Sequence, residues 1–181
     1  MHADDGKLAS RSLRAGRVKS PTRVPKSAVR SPVVLNEAYH YAKPVSFSRG
    51  MRLDLDGCTL LFISGTASVD EHGRSIHPGD VTAQSRRVFA NLTSLLESEG
   101  ADWHDVVRTT CYLVDFRHYD PFNEVRTAFF IEQGLDPLPA STCVQAGLCR
   151  PELLVEIELI AAIPKDRIRH RPDCRESNAA D

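Results

Sequence analysis

Apolar and polar positions divide the middle of the chain into a short series of elements. Residues 45–55 read as a strand ending at the Asp56-Gly57 turn, and Leu60, Leu61, Phe62, Ile63 and Ser64 form a second, almost wholly apolar run. Two such runs across an Asp-Gly signal a hairpin, and an apolar run of this kind predicts a strand buried on both faces of a sheet. Asp80 is placed to cap a helix in which Val81, Val88, Leu92 and Leu95 recur at helical spacing. Gln84, Arg86, Arg87 and Asn91 fall between them and predict a wet face, and Gly100 ends the element. Residues 106–114 alternate loosely, are rich in β-branched and aromatic side chains, and predict a strand. Asp120 as cap and Pro121 in the first turn open a second helix, with Phe122, Val125 and Phe129 on its buried side. Residues 142–146 are a short strand. Residues 153–163 are a long one, with Val155, Ile157, Leu159 and Ala161 on one face and Glu156, Glu158 and Ile160 on the other.

The order β-β-α-β-α-β-β alternates in the middle and is hairpin-like at its ends. It predicts an α+β fold, a mixed sheet with two helices packed on one face. The other face of that sheet needs cover, which a partner subunit would supply, so an oligomer is expected.

Outside this core the composition changes. Residues 1–31 hold Lys7, Arg11, Arg14, Arg17, Lys19, Arg23, Lys26 and Arg30 against Asp4 and Asp5, so the segment carries +6 and the remainder −7. Few large apolar residues and many Ser and Pro make it a disordered basic tail, residues 32–165 the folded domain, and 166–181 a loose polar tail. The net charge of −1 gives no overall pull toward nucleic acid or membrane. No apolar run approaches the ~18 residues a membrane span needs. The five cysteines form no C-x-x-C pair, and no secretory apolar segment is present, so reduced thiols in a cytoplasmic protein are expected. The seven histidines are scattered and no zinc set emerges, so no metal is expected.

Several short stretches resemble one family in order and spacing. Phe47-Ser48-Arg49, Leu61-Phe62-Ile63-Ser64-Gly65, Gly79-Asp80 with Gln84, and Asn91-Leu92 begin the series. Val106-Val107-Arg108-Thr109-Thr110, Asn123-Glu124-Val125, Pro139-Ala140 and Leu154-Val155-Glu156-Ile157-Glu158 complete it. Over residues 45–163 the chain resembles the YjgF/Rid family. The resemblance implies a chorismate-mutase-like fold, a homotrimer, ligand clefts between subunits, and neither metal nor organic cofactor.

It also implies a chemistry. Deaminases of the family hydrolyse imines or enamines of amino acids, an arginine gripping the substrate carboxylate and a glutamate activating water. Glu156 stands at the glutamate position and Cys143 also matches. The family strand reads Ala-Arg-Ser/Thr-Cys, whereas this one reads Ala140-Ser141-Thr142-Cys143, so Ser141 takes the arginine's place. A second resemblance joins Gly65-Thr66-Ala67-Ser68-Val69, His77-Pro78-Gly79-Asp80 and Cys149-Arg150-Pro151-Glu152 to the C-terminal half of chorismatases. Those enzymes hydrolyse an enol ether, with a glutamate at the Glu156 position as proton donor. There the position of Cys149 shapes the pocket, and Arg150 would supply the missing guanidinium. This chain lacks the large N-terminal half that completes the chorismatase pocket.

Each residue also has a structural reading. Glu156 can be a paired structural carboxylate, Cys149 an inert loop thiol, Arg150 a solvated cation and Cys143 simple packing. Gly65 can serve backbone geometry, and Phe47 and Phe130 either line an apolar wall or fill the core. The functional expectation is a hydrolase acting on an imine, enamine or enol ether of a small carboxylate metabolite. Glu156 is its acid/base, Arg150 its anchor, and Cys149, Cys143, Ser141, Gly65, Phe47 and Phe130 line its site. A non-catalytic metabolite-binding trimer is the alternative, because the arginine is lost. A nucleic-acid role has only the basic tail in its favour.

Overall fold

The computed structural model describes residues 23–31, 35 and 45–168. Its elements are β1 (Lys26–Ala28), β2 (Gly50–Asp54), β3 (Cys58–Ala67), α1 (Val81–Ser98), β4 (Val106–Leu113), α2 (Tyr119–Glu132), β5 (Ala140–Gln145), β6 (Val155–Pro164) and a final turn α3 (Lys165–Ile168). The strands form one sheet in the order β1-β2-β3-β6-β4-β5. All pairs are antiparallel except β4 with β5, which are parallel. A parallel pair needs a crossover, and α2 provides it. The fold is the expected α+β arrangement, with α1 and α2 on one side of a mixed sheet.

The last long strand enters the middle of the sheet. β6 is bonded to β3 on one side and β4 on the other. Its burial alternates as the sequence dictates: Val155, Ile157, Leu159, Ala161 and Ile163 are buried, while Glu156, Glu158 and Ile160 are only half-buried. The buried row meets Leu61 and Ile63 of β3 and Val88, Phe89, Leu92 and Leu95 of α1 in a single core. Phe89, Trp103, Phe129 and Phe130 close the core where the helices meet, the Phe89 and Phe129 rings stacking at 4.6 Å. Trp103 Nε1 donates to Thr93 Oγ1 at 2.8 Å, so the ring is buried with its one polar group satisfied.

Several expectations are corrected. The run 60–64 is not buried on both faces. Leu61 and Ile63 are buried but Phe62 is 41% exposed, because the helices cover only one face. The strand read over 45–55 begins only at Gly50, and the Leu55 N–H closes its hairpin by donating to Cys58 O at 2.9 Å. α2 starts at Tyr119, behind a 3-10 turn over Phe116–His118 whose cap is Asp115, accepting from Arg117 N. Asp120 therefore lies in the first turn rather than capping it. The tail drawn over residues 1–31 includes a strand: β1 pairs with β2, and Val29 beside it is fully buried. The stretches 1–22 and 169–181 of the expected tails lie outside the described residues. At the other end Arg167, placed in the C-terminal tail, holds α3 to the body through Asp105, Nη1 to Oδ2 being 2.7 Å.

The wet face expected of α1 is also half wrong. Asp80 caps the helix by accepting from Ala83 N at 2.9 Å, and Arg86 is exposed. Gln84 and Asn91, however, are fully buried. Gln84 Nε2 donates to His77 O and Glu152 O, and its Oε1 accepts from Leu154 N. Asn91 Nδ2 donates to Ala67 O and Val69 O. Two amides thus satisfy backbone groups that leave the sheet, which apolar residues there could not do. Gln84→Leu strands one N–H and two carbonyls, and a loss of about 1–3 kcal/mol is expected from a urea-unfolding midpoint. A loss below about 0.5 kcal/mol would contradict that bonding role.

Candidate functional site

The ladder between β3 and β6 slips by one residue. Ile63 faces Leu159 and Thr66 faces Ile157, so Ser64 and Gly65 together oppose Glu158. Such a bulge bends the strand and re-aims its neighbours. Gly65 then comes against the side chain of Glu156: a Cβ there would overlap Glu156 Oε1 and stand 2.9 Å from Cδ. Gly65 is not among the positive-φ glycines, which are Gly73, Gly79, Gly100 and Gly134. The glycine is needed here for space and not for backbone geometry, a correction to the structural reading of that residue.

Glu156 is half-buried against Gly65. Burial first, and the negative charge of Glu158 second, push its carboxyl above the ordinary value. Glu158 lies on the same face and accepts from the Tyr112 hydroxyl at 3.2 Å. On that face Phe62, Ser64, Arg108, Thr110, Glu158 and Ile160, but not Glu156, border a hollow of about 260 Å³.

The other candidates lie elsewhere. Ser141 and Cys143 point to the helix side of β5. Ser141 Oγ accepts from Thr109 Oγ1 at 3.1 Å, and Thr109 is buried. Cys143 stands opposite Cys111 across the parallel ladder and packs on the core. Burial pushes both thiols up, and the Arg126 charge only partly opposes it, so both stay protonated and neither is a ready nucleophile. Phe130 is a core residue, edge-on to Phe89 at 6.0 Å, and its ring also forms part of a cavity wall. Phe47 is 44% exposed with the Arg49 guanidinium 5.8 Å from its ring centre, and it is no part of the core. Arg150 Nη1 donates to Gly73 O at 2.6 Å and Ser75 Oγ at 3.1 Å, pinning the loop that follows β3. Cys149 beside it is exposed.

Glu156 and Gly65 therefore meet on the open sheet face, while Ser141, Cys143 and Phe130 gather between β5 and α2. Arg150 is engaged with the loop after β3, and no cation among the described residues contributes to the shift of Glu156.

Ser141 and Phe130 of this second group, but not Cys143, border a cavity of about 280 Å³ together with Asn123, Arg126, Leu135 and Pro139. Arg126 was not among the expected residues. Its Nη2 donates to Asn123 Oδ1 at 2.5 Å and its Nη1 to Ser141 Oγ at 3.3 Å. Asn123, Arg126, Thr127 and Phe130 follow helical spacing on one face of α2, and that spacing was the available signal. Among the described residues no group of three or more His, Cys, Asp or Glu is arranged to hold a metal ion. No helix among them is long and apolar enough to cross a membrane.

Two outcomes follow from the Glu156–Gly65 contact. Gly65→Ala should destabilise the chain, and the loss should largely vanish in a Glu156→Ala background, as read by a double-mutant cycle on unfolding midpoints. Additive losses would mean that the carboxylate is not what the methyl meets. The unfolded Glu156 carboxyl titrates near 4.5 and the folded one higher, so its contribution is full below 4.5 and lost as pH rises through the folded value. Glu156→Gln should accordingly gain stability relative to wild type across that rise, and a pH-independent difference would contradict the shift.

Comparison with known proteins bears on the fold and the family. The sequence pattern of the endoribonuclease L-PSP family matches residues 43–163. The YjgF gene product of E. coli is 26% identical with a TM-score of 0.60, covering 75% of this chain and 97% of that one. E. coli TdcF, solved with bound serine, is 26% identical with a TM-score of 0.57, covering 71% of this chain and 96% of that one. A structure from Entamoeba histolytica carrying the endoribonuclease L-PSP name is 27% identical with a TM-score of 0.62, covering 77% and 100%. With the match extending over well beyond half of its length, the chain belongs to the endoribonuclease L-PSP family, that is, to the YjgF/Rid superfamily.

Proposed function

We propose that this protein is a small-molecule hydrolase, acting at clefts between the subunits of a homotrimer on an imine or enamine of a small carboxylate metabolite. The observation that carries the reading is Glu156, a carboxyl held over Gly65 with its protonated form favoured by burial and by Glu158. A neutral carboxylic acid in such a place can protonate the imine nitrogen or the enamine carbon. The carboxylate so formed takes a proton from water as its oxygen bonds to the former imine carbon. Collapse of that adduct returns ammonia and a carbonyl compound, and the glutamate ends as it began.

The trimer is supported by the division of the site. Glu156 is on the open face of the sheet and the Ser141 cavity on the helix side, so a site using both draws on two subunits. Phe62 and Val144, 41% and 39% exposed, are apolar surface that such a partner would cover. Serine in TdcF is a small carboxylate of the size proposed. Four free cysteines among the described residues fit a reducing compartment such as the cytoplasm. An enol ether, as in chorismatases, offers a carbon that the same acid would protonate, and remains the second arm of the test. RNA cleavage, the sense of the family's name, gains no support from a charge of −7 outside the first 31 residues. The rival reading is a binding trimer without turnover. Its favouring observation is that Arg150, the expected anchor, is engaged by Gly73 and Ser75.

Purified protein should be assayed for hydrolysis of freshly generated 2-aminoacrylate-type imines and, separately, for pyruvate release from chorismate, each beside Glu156→Gln. Turnover in one arm that falls by about 100-fold or more in the mutant is expected, with the imine arm active. Silence in both arms from a well-folded trimer would leave the binding protein.

A further inference from the structure

We infer that Arg126 of α2 is the carboxylate grip of this site, delivered from the helix instead of from the strand position that Ser141 occupies. The inference rests on the proposed function for the class of ligand, a small carboxylate, but not on the chemistry of Glu156.

Arg126 is half-buried, and the contacts of its guanidinium are neutral. Asn123 Oδ1 and Ser141 Oγ accept from it, and the Phe122 ring lies 5.2 Å from its central carbon. Among the described residues it enters no ion pair. An arginine is charged at every accessible pH and has five N–H donors, so a partly desolvated one without a protein anion is a ready partner for an external anion. Its planar fork matches the two oxygens of a carboxylate. Asn123 and Ser141 hold two corners of the fork, which fixes its position before any ligand arrives.

The surroundings narrow the ligand. Phe130, Leu135 and Pro139 make one wall apolar, while Thr127 and Ser141 offer hydroxyls. A volume of about 280 Å³ suits a short chain of a few carbons and not a nucleotide. One arginine, with no lysine on the cavity wall, is matched in charge by a carboxylate better than by a phosphate dianion. Ile131 and Leu138, 74% and 63% exposed, form an apolar mouth, the side from which a ligand tail would reach a neighbouring subunit. The ligand is thus a short 2-oxo or 2-amino acid type of molecule, held by its carboxylate.

The test is binding, measured by titration calorimetry on the full chain in a Glu156→Gln background so that turnover does not interfere. The probes are 2-oxobutanoate, its primary amide and inorganic phosphate. Saturable binding of the acid, at least about tenfold weaker after Arg126→Gln and only partly kept by Arg126→Lys, is the expected result. The amide should bind no better than the Arg126→Gln variant binds the acid. Adding Ser141→Arg to Arg126→Gln should restore affinity, which a purely structural loss at Arg126 would not allow. Unchanged affinity in a folded Arg126→Gln protein overturns the inference, as does equal binding of the amide, preference for phosphate, or no saturable binding of the acid. Loss of the acid on Arg126→Gln with no turnover in the imine or chorismate assays would sink the hydrolase and keep the grip. Turnover that depends on Glu156 beside binding indifferent to Arg126 would do the reverse.

Discussion

A carboxyl group in the middle of a sheet must be accommodated by the strand next to it, and here the accommodation is made by the absence of a side chain. Glu156 sits in the most internal strand, bonded through its backbone to β3 and β4 alike. Its side chain meets β3 at Gly65, diagonally across from its ladder partner Ala67, and it fits because Gly65 has no Cβ. Burial and the neighbouring Glu158 then weaken the acid. Position, exposure and protonation of this one group depend on that contact.

The rest of the fold can be read as the support of that contact. β6 keeps its register because five apolar side chains on its other face are locked into the helices, and a shift by one residue would exchange them for Glu156 and Glu158. Gln84 and Asn91 tie α1 to the ends of β3 and the start of β6, so the helix clamps the two strands that make it. Arg150 holds the loop after β3 from the other side. Arg150, expected to touch a ligand, is bonded in this chain to that loop.

How much of this was legible in the sequence depended on whether a pattern is local. The alternation along residues 155–161 reports directly which face each residue takes, and the Asp80 cap and the Gly100 stop are local chemistry. Gln84 and Asn91 were misread because a polar residue on an amphipathic helix is ordinarily wet; only the backbone groups at strand ends, far away in sequence, make them core residues. Phe62 was misread because an apolar run does not say how many faces of the sheet this chain itself covers. β1 was missed because a charged, Ser- and Pro-rich stretch has no pattern of its own, and its three residues are held by pairing with β2. Gly65 was read as serving backbone geometry where it makes room for Glu156, since a sequence does not distinguish a glycine kept for its φ from one kept for space.

The serine at position 141 shows the same limit on the functional side. The chain has a serine where the resemblance implies a guanidinium, and the natural search for compensation runs along nearby sequence to Arg150. Space orders residues differently. One turn of α2 beyond Asn123 stands Arg126, fifteen residues from Ser141 along the chain yet within 3.3 Å of its hydroxyl. Arginine has a long reach, so its charge can be kept at a point while the backbone position that supplies it changes, provided that the side chain displaced is small. Serine meets that condition: it accepts from Arg126 and Thr109 and leaves the cavity open. An arginine at 141 and one at 126 would compete for the same space and repel. On the proposed reading the serine is the complement of the helix arginine, and the charge at this site has moved instead of being lost.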